Sequence, residues 1–227
     1  MMVRRGKAEI GKAVTVLQTR ANGDQTREKI IAAAEVLFGH HSFDTVSLRD
    51  ITNAAGVTLA LVSYHFHTKE NLFSAIVARR AQTLNQIRRA RLADLEASGT
   101  VTVESLLDAF MRPLFEQMQS DDEGWQAYLL LLAKLATHDR WLSYIHENFD
   151  ETANLFIARL RTLLPEMEEE TLLRGFSMVL VLMLQTVSKN RRLDSLSDGR
   201  FSGSDLSMSY RLLLRFSLAG LNALKDA

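Results

Sequence analysis

Between Ser47 and Phe66 the chain places four short or semi-polar side chains, Leu59, Ala60, Ser63 and Tyr64, on one face of a helix of about two turns. Val62 and Phe66 are four residues apart and share a face, so they take the inward side and leave the other four outward. Such a face suits the major groove of a duplex, where base edges present hydrogen-bonding groups and thymine methyls. Thr58 stands where it would cap this helix, and the free backbone donors and positive dipole end there favour a phosphate. Ala55-Gly56-Val57-Thr58 joins the helix to one that begins after Ser47, which is the tight glycine turn of a helix-turn-helix.

Other residues capable of chemistry are isolated. His40 with His41 and His65 with His67 have no cysteine or carboxylate companions at ligand spacing, and His138 and His146 read as exposed helical polar residues, so no metal site and no cofactor are expected. No Gly-x-Ser-x-Gly elbow, His-Glu-x-x-His motif or phosphate-binding glycine loop occurs, so no catalytic residues are assigned and an enzyme is not expected. The absence of cysteine removes disulfides, zinc-thiolate sites and thiol catalysis and fits a cytoplasmic location. The longest apolar runs, Tyr128 to Ala133 and Met178 to Leu184, fall short of the roughly 20 residues of a membrane span.

Net charge is zero over 227 residues, but its distribution is uneven. Residues 1–92 carry a net +7 and residues 93–227 a net −7, so the N-terminal part is the one suited to a polyanion.

Helical spacing then sets out the elements that position the site. Apolar residues at 30, 31, 34, 37 and 38 predict a first helix, with Thr26 as N-cap and Gly39 as stop. Ser47 and Gly56 bound a second, Thr58 starts a third, and Thr68 caps a fourth that runs from Lys69 to about Ala97. Further helices are expected near 102–119, 122–137, 139–163, 167–189 and 205–224, with Pro113 kinking the first of these and a flexible loop over 191–205. The fold class is all-α. Residues 1–23 read as a flexible basic tail, 24–70 as a helix-turn-helix domain and 71–227 as a helical domain.

The run SLRDITNAAGVTLALVSYHFHTKENLF, residues 47–73, resembles the DNA-binding signature of the TetR family of transcriptional regulators. The resemblance implies a homodimeric, sequence-specific regulator, most simply a repressor, whose C-terminal domain holds a small-molecule effector. It implies that Arg49 reads bases, its guanidinium forking onto a guanine. Leu59, Ala60 and Ser63 occupy recognition-helix positions, Tyr64, His65 and Lys69 match phosphate-holding positions, and Thr26, Ser47 and Thr58 combine capping with phosphate contact. Leu59 and Ala60 are less polar than is usual there and offer apolar contact only.

For the effector, Phe110, Met111, Leu114, Trp125, Tyr128 and Leu129 surround the Pro113 position and are the candidate lining, against the alternative of ordinary core packing. That lining suggests a hydrophobic or aromatic molecule, such as a fatty acyl compound. Arg79, Arg80, Arg88, Arg89 and Arg91 read as a solvated helix face, whereas Arg4, Arg5, Lys7, Lys12 and Arg20 are candidates for a minor-groove arm. The last two long helices carry more apolar surface than one face needs and are expected to form the homodimer interface. A dimer without an effector, and an activator, remain as alternative readings. No membrane partner is expected.

Overall fold

The computed structural model describes residues 3–188 and 191–226, with side chains over 22–188 and 191–225. All secondary structure among these residues is helical, and the chain divides into two compact units, residues 1–76 and 77–227.

In the first unit, α1 (Val3–His40), α2 (Leu48–Ala55) and α3 (Leu59–Phe66) meet the start of α4 (Lys69–Ser98). Ile30, Ile31, Ala34 and Phe38 of α1 pack with Ile51, Val62, Phe66, Leu72, Phe73 and Ile76, the inward stripes of each helix. Phe38 stacks on Phe43 at 5.6 Å between centroids, and both meet the edge of Phe73, at 5.1 and 4.9 Å. These rings clamp the connection after α1 onto α4, and such pairs contribute about 0.5–1.5 kcal/mol each beyond the area they bury.

The start of the first helix differs from the sequence reading. Helix α1 starts at Val3, so the segment expected as a tail lies within it, and no proline interrupts that stretch. Thr26 is therefore interior and no cap: its hydroxyl donates back to the carbonyl of Asn22 at 2.8 Å. The side chains of Arg4, Arg5, Lys7, Lys12 and Arg20 lie outside the described residues.

The second unit holds the remainder of α4 with α5 (Val103–Met118), α6 (Glu123–Leu135), α7 (Leu142–Leu163), α8 (Glu169–Val187), α9 (Arg192–Leu196) and α10 (Leu206–Ala223). Phe110 of α5 is central, meeting Phe156 of α7 and Phe176 of α8 at 5.1 and 5.2 Å. Helices α8 and α10 approach closely at Gly175, where a Cβ would stand 2.8 Å from a Leu221 methyl. Helix α8 has the length and apolarity of a membrane span by composition, but it opens on Glu169 and Glu170 and packs against α6, α7 and α10. The expected loop after it is folded: α9 forms, Asp194 accepts the Gly203 N–H at 3.0 Å, and the buried Ser197 hydroxyl accepts that of Phe201 at 3.0 Å.

Helix α6 starts on Asp122, whose carboxylate accepts the Trp125 N–H at 3.2 Å and receives both Arg80 nitrogens, at 2.9 and 3.3 Å. The Arg80 hydrogen bonds hold the Asp122 carboxyl below the usual range, outweighing its burial. Its contribution to stability is therefore full above the unfolded pKa of about 4 and is lost as pH falls through the folded value. Asp122→Asn keeps a cap oxygen but removes the charge, and lowers stability at pH 7 by up to about 1 kcal/mol. In thermal melts, the gap between variant and wild type closes as the pH is taken down from about 5. A gap that stays constant with pH contradicts this assignment.

Candidate functional site

Helix α2 is started by a reciprocal cap. The Ser47 hydroxyl accepts the Asp50 N–H at 3.2 Å while the Asp50 carboxylate accepts the Ser47 N–H at 2.8 Å and its hydroxyl at 2.6 Å. These bonds from Ser47 hold the Asp50 carboxyl low. The Ser47 hydroxyl is thus engaged within the protein. Helix α2 ends at Gly56, whose φ of 65° is the left-handed value a glycine accepts without strain, and the Val57 N–H returns to the Thr52 carbonyl at 3.1 Å.

The turn delivers Thr58 in extended conformation immediately before α3, but its hydroxyl makes no capping bond. The N–H groups of Leu59 and Ala60 have no acceptor among the described residues either, leaving a donor-rich helix end at the surface. Leu59, Ala60, Ser63 and Tyr64 are all exposed, Tyr64 by 75%, whereas Val62 and Phe66 are buried. Arg49, on the second position of α2, is exposed, with its guanidinium free of internal partners among the described residues. His65 is half-buried, its ring edge-on to Tyr64 at 5.1 Å.

Lys69 also makes contacts within the protein. Its ammonium donates to the Phe43 carbonyl and sits 4.2 Å from the centre of the Phe43 ring, so it fastens the loop after α1 to the start of α4. Thr68 caps that helix as expected, accepting the Asn71 N–H at 3.1 Å.

The positive charge is also placed differently. Residues 22–76 hold four Lys or Arg against six Asp or Glu, so the surplus of the N-terminal part comes from residues 1–21 and from the arginines of α4. Four of those five arginines are structural struts. Arg80 holds Asp122, Arg89 donates to the Thr152 hydroxyl at 2.9 Å, Arg91 pairs with Glu116 at 2.6 Å, and Arg88 is buried.

A cavity of about 390 Å³ opens within the second unit, among α4, α5, α7, α8 and the end of α6. Of the six residues expected to line it, Phe110 does. Met111, Leu114, Trp125, Tyr128 and Leu129 are buried in the core instead, Tyr128 donating to the Val77 carbonyl at 3.1 Å and Trp125 lying under Arg80. The space lies farther along α6, where the small side chains of Ala136, just past its end, and Ala153 of α7 leave room. Arg88 also lines it, which the sequence reading missed. Its register gives the signal: Val77, Ala81, Leu84, Arg88 and Leu92 recur at helical spacing and are all buried, so this arginine occupies a core position.

Residues 30–76 match the family described as bacterial regulatory proteins, tetR family, and residues 108–220 match the tetracyclin repressor-like C-terminal domain. The HTH-type transcriptional regulator SrpR of Pseudomonas putida is 30% identical over 137 residues, 57% of this chain and 62% of SrpR. The uncharacterized HTH-type transcriptional regulator TtgW, also of Pseudomonas putida, is 30% identical over 56% of this chain and 97% of its own. The chain thus spans about three fifths of the length of one relative and nearly all of the other. In fold, a transcriptional regulator of Pseudomonas aeruginosa PAO1 superposes with a TM-score of 0.59 over 90% of this chain and 92% of that one, at 18% identity. With both parts matched in order, a helix-turn-helix unit followed by a helical unit, the chain belongs to the TetR family of bacterial regulatory proteins.

Proposed function

We propose that this protein is a dimeric transcriptional repressor that leaves its operator when a small molecule occupies the cavity. The observation that carries the reading is the outward face of the helix-turn-helix, with Leu59, Ala60, Ser63 and Tyr64 exposed on α3 beside an unengaged Arg49 on α2. Arg49 forks onto guanine O6 and N7, and Leu59 and Ala60 offer apolar contact to thymine methyls. The Thr58 hydroxyl and the free N–H groups at the start of α3 donate to a phosphate, with Tyr64 and His65 beside them.

Dimerisation is supported by an apolar strip on α8 and α10, where Met178 and Phe216 are 59% and 68% exposed alongside Val181 and Leu212. Covering it with a second copy creates two recognition helices for grooves about 34 Å apart. The match of residues 108–220 to a tetracyclin repressor-like domain supports repression and release. Coupling runs through α4, which contributes Leu72, Phe73 and Ile76 to one core and Leu84 and Arg88 to the other. A differential affinity of about 1–3 kcal/mol between the two states suffices for a useful switch.

The reading is tested by selecting binding sites from random duplexes. An enriched inverted repeat supports a dimeric, sequence-specific regulator, and no enrichment overturns it. On the selected duplex, Arg49→Ala costs about 1–3 kcal/mol and relaxes preference at one base pair per half-site; unchanged selectivity in repeated selection contradicts its role. Because residues 22–76 carry little positive charge, the basic N-terminal residues supply much of the phosphate attraction in this proposal. Replacing Arg4, Arg5, Lys7, Lys12 and Arg20 together with Gln reduces the slope of log affinity against log salt by about 0.9 for every phosphate that is no longer neutralised. An unaltered slope in anisotropy titrations removes the arm from the interface.

A further inference from the structure

Arg88 is 3% exposed, yet no carboxylate lies within ion-pairing distance of it among the described residues. Its Nε donates to the Phe110 carbonyl at 2.9 Å, one Nη reaches only the Met183 sulfur at 3.9 Å, and the guanidinium lies 3.9 Å from the centre of the Phe110 ring. A guanidinium has five N–H donors, and only one here has a strong acceptor. Burial pulls its pKa down to about 9, so the group still carries its charge at neutral pH.

Its place in the fold explains the bonds it does have. Pro113 lacks the N–H that would bond to the Ala109 carbonyl, and the neighbouring Phe110 carbonyl accepts Arg88. The Phe110 ring covers one face of the guanidinium. Its remaining donors are not taken up by any side-chain oxygen or carbonyl among the described residues, and the residue lines the cavity.

The rest of the wall decides what kind of molecule fits. Leu132, Leu135, Ile145, Phe149, Leu180 and Leu184 make it largely apolar. Its other titratable groups are His138, Asp139 and Asp150; the first two are exposed, and Asp150 is held by His146 at 2.8 Å. Those carboxylates repel an anion from the outer end of the cavity, while Arg88 attracts one to the inner end. A neutral apolar molecule would strip water from the guanidinium and give nothing back, an unfavourable exchange for a charged group. A single negative charge matches the single positive one, and a planar carboxylate matches the fork.

We infer that the cavity binds an organic acid, an apolar body bearing one carboxylate, with the carboxylate received by Arg88 and the body held among the leucines of α6 and α8. This rests on the reading of the cavity as the effector site and names the chemical class of the effector. It also narrows the hydrophobic molecule anticipated from sequence to an anionic one.

The test uses the full chain and two matched pairs of probes, decanoate with decan-1-ol and 2-naphthoate with 2-naphthylmethanol, titrated by calorimetry and thermal shift. The inference predicts that at least one acid binds tenfold or more tighter than its alcohol. Arg88→Met loses that preference and binds the alcohol no worse than wild type does, while Arg88→Lys, which keeps the charge but not the fork, falls between them. Without any probe, Arg88→Met melts at or above the wild-type temperature, because an unpaired buried charge has been replaced by an apolar chain of similar length. The wild-type comparison of acid with alcohol stands even if a variant fails to fold. The inference is overturned if neither acid binds, if both alcohols bind as tightly as their acids, or if Arg88→Met retains the preference. Site selection on the same preparation separates the two readings: an enriched repeat without acid preference sinks the carboxylate alone, and no repeat sinks the regulator.

Discussion

Helix α4 is held in the second unit by directional bonds, and this constraint organises everything around it. Arg80 forks onto Asp122 at the start of α6, Arg88 donates to the α5 backbone, Arg89 to Thr152 of α7 and Arg91 to Glu116 of α5, while Asn85 donates to the Asn148 carbonyl at 2.6 Å. Apolar stripes alone tolerate a helix sliding or turning by a fraction of a residue, because dispersion is non-directional. Hydrogen-bonded guanidinium groups to three different helices do not, so rotation and axial position are set together. The same helix supplies Leu72, Phe73 and Ile76 to the core beneath the helix-turn-helix. A molecule that changes the surroundings of Arg88 therefore acts on an element the DNA-binding unit is also built upon.

Within that frame, Arg88 is the residue where stability and function part company. Its neighbours on the stripe are Leu84 and Leu92, and an aliphatic side chain would bury there at no electrostatic cost. A charge kept in a core position with most of its donors unengaged breaks the ordinary agreement between pattern and environment, and such breaks concentrate at sites that bind something. The helix-turn-helix shows a milder form of the same thing. Leu59 and Tyr64 are large, apolar or semi-polar and exposed, and the start of α3 is left without a side-chain cap.

How much of this the sequence reveals follows from the range of each interaction. The Ser47–Asp50 cap, the Gly56 turn and the Val62–Phe66 pair act over two to four residues, and each is legible in the order of residue types. The bonds of the α4 arginines to oxygen acceptors span 22 to 63 residues, so those side chains look like a solvated run until their partners are known. The bond from Lys69 is hidden for the same reason, because its acceptor is the backbone of Phe43. Thr26 misleads locally: a threonine is a good cap only where the chain leaves the helix, and here α1 continues through it. The cavity is the least legible feature. Five of its six expected residues form instead the packed wall of the core, because aromatic and aliphatic stripes near a proline fill space as readily as they enclose it.

The central claim is that filling the cavity through Arg88 weakens the grip on DNA, and equilibrium anisotropy on the selected duplex measures it directly. Wild type and Arg88→Met are titrated side by side, with and without an acid whose binding to wild type has been seen by calorimetry. The account predicts that the acid lowers wild-type affinity for the duplex by about 5- to 150-fold and leaves Arg88→Met unmoved. Wild-type affinity that stays the same with the acid bound would contradict it, since a ligand that binds both states equally shifts neither.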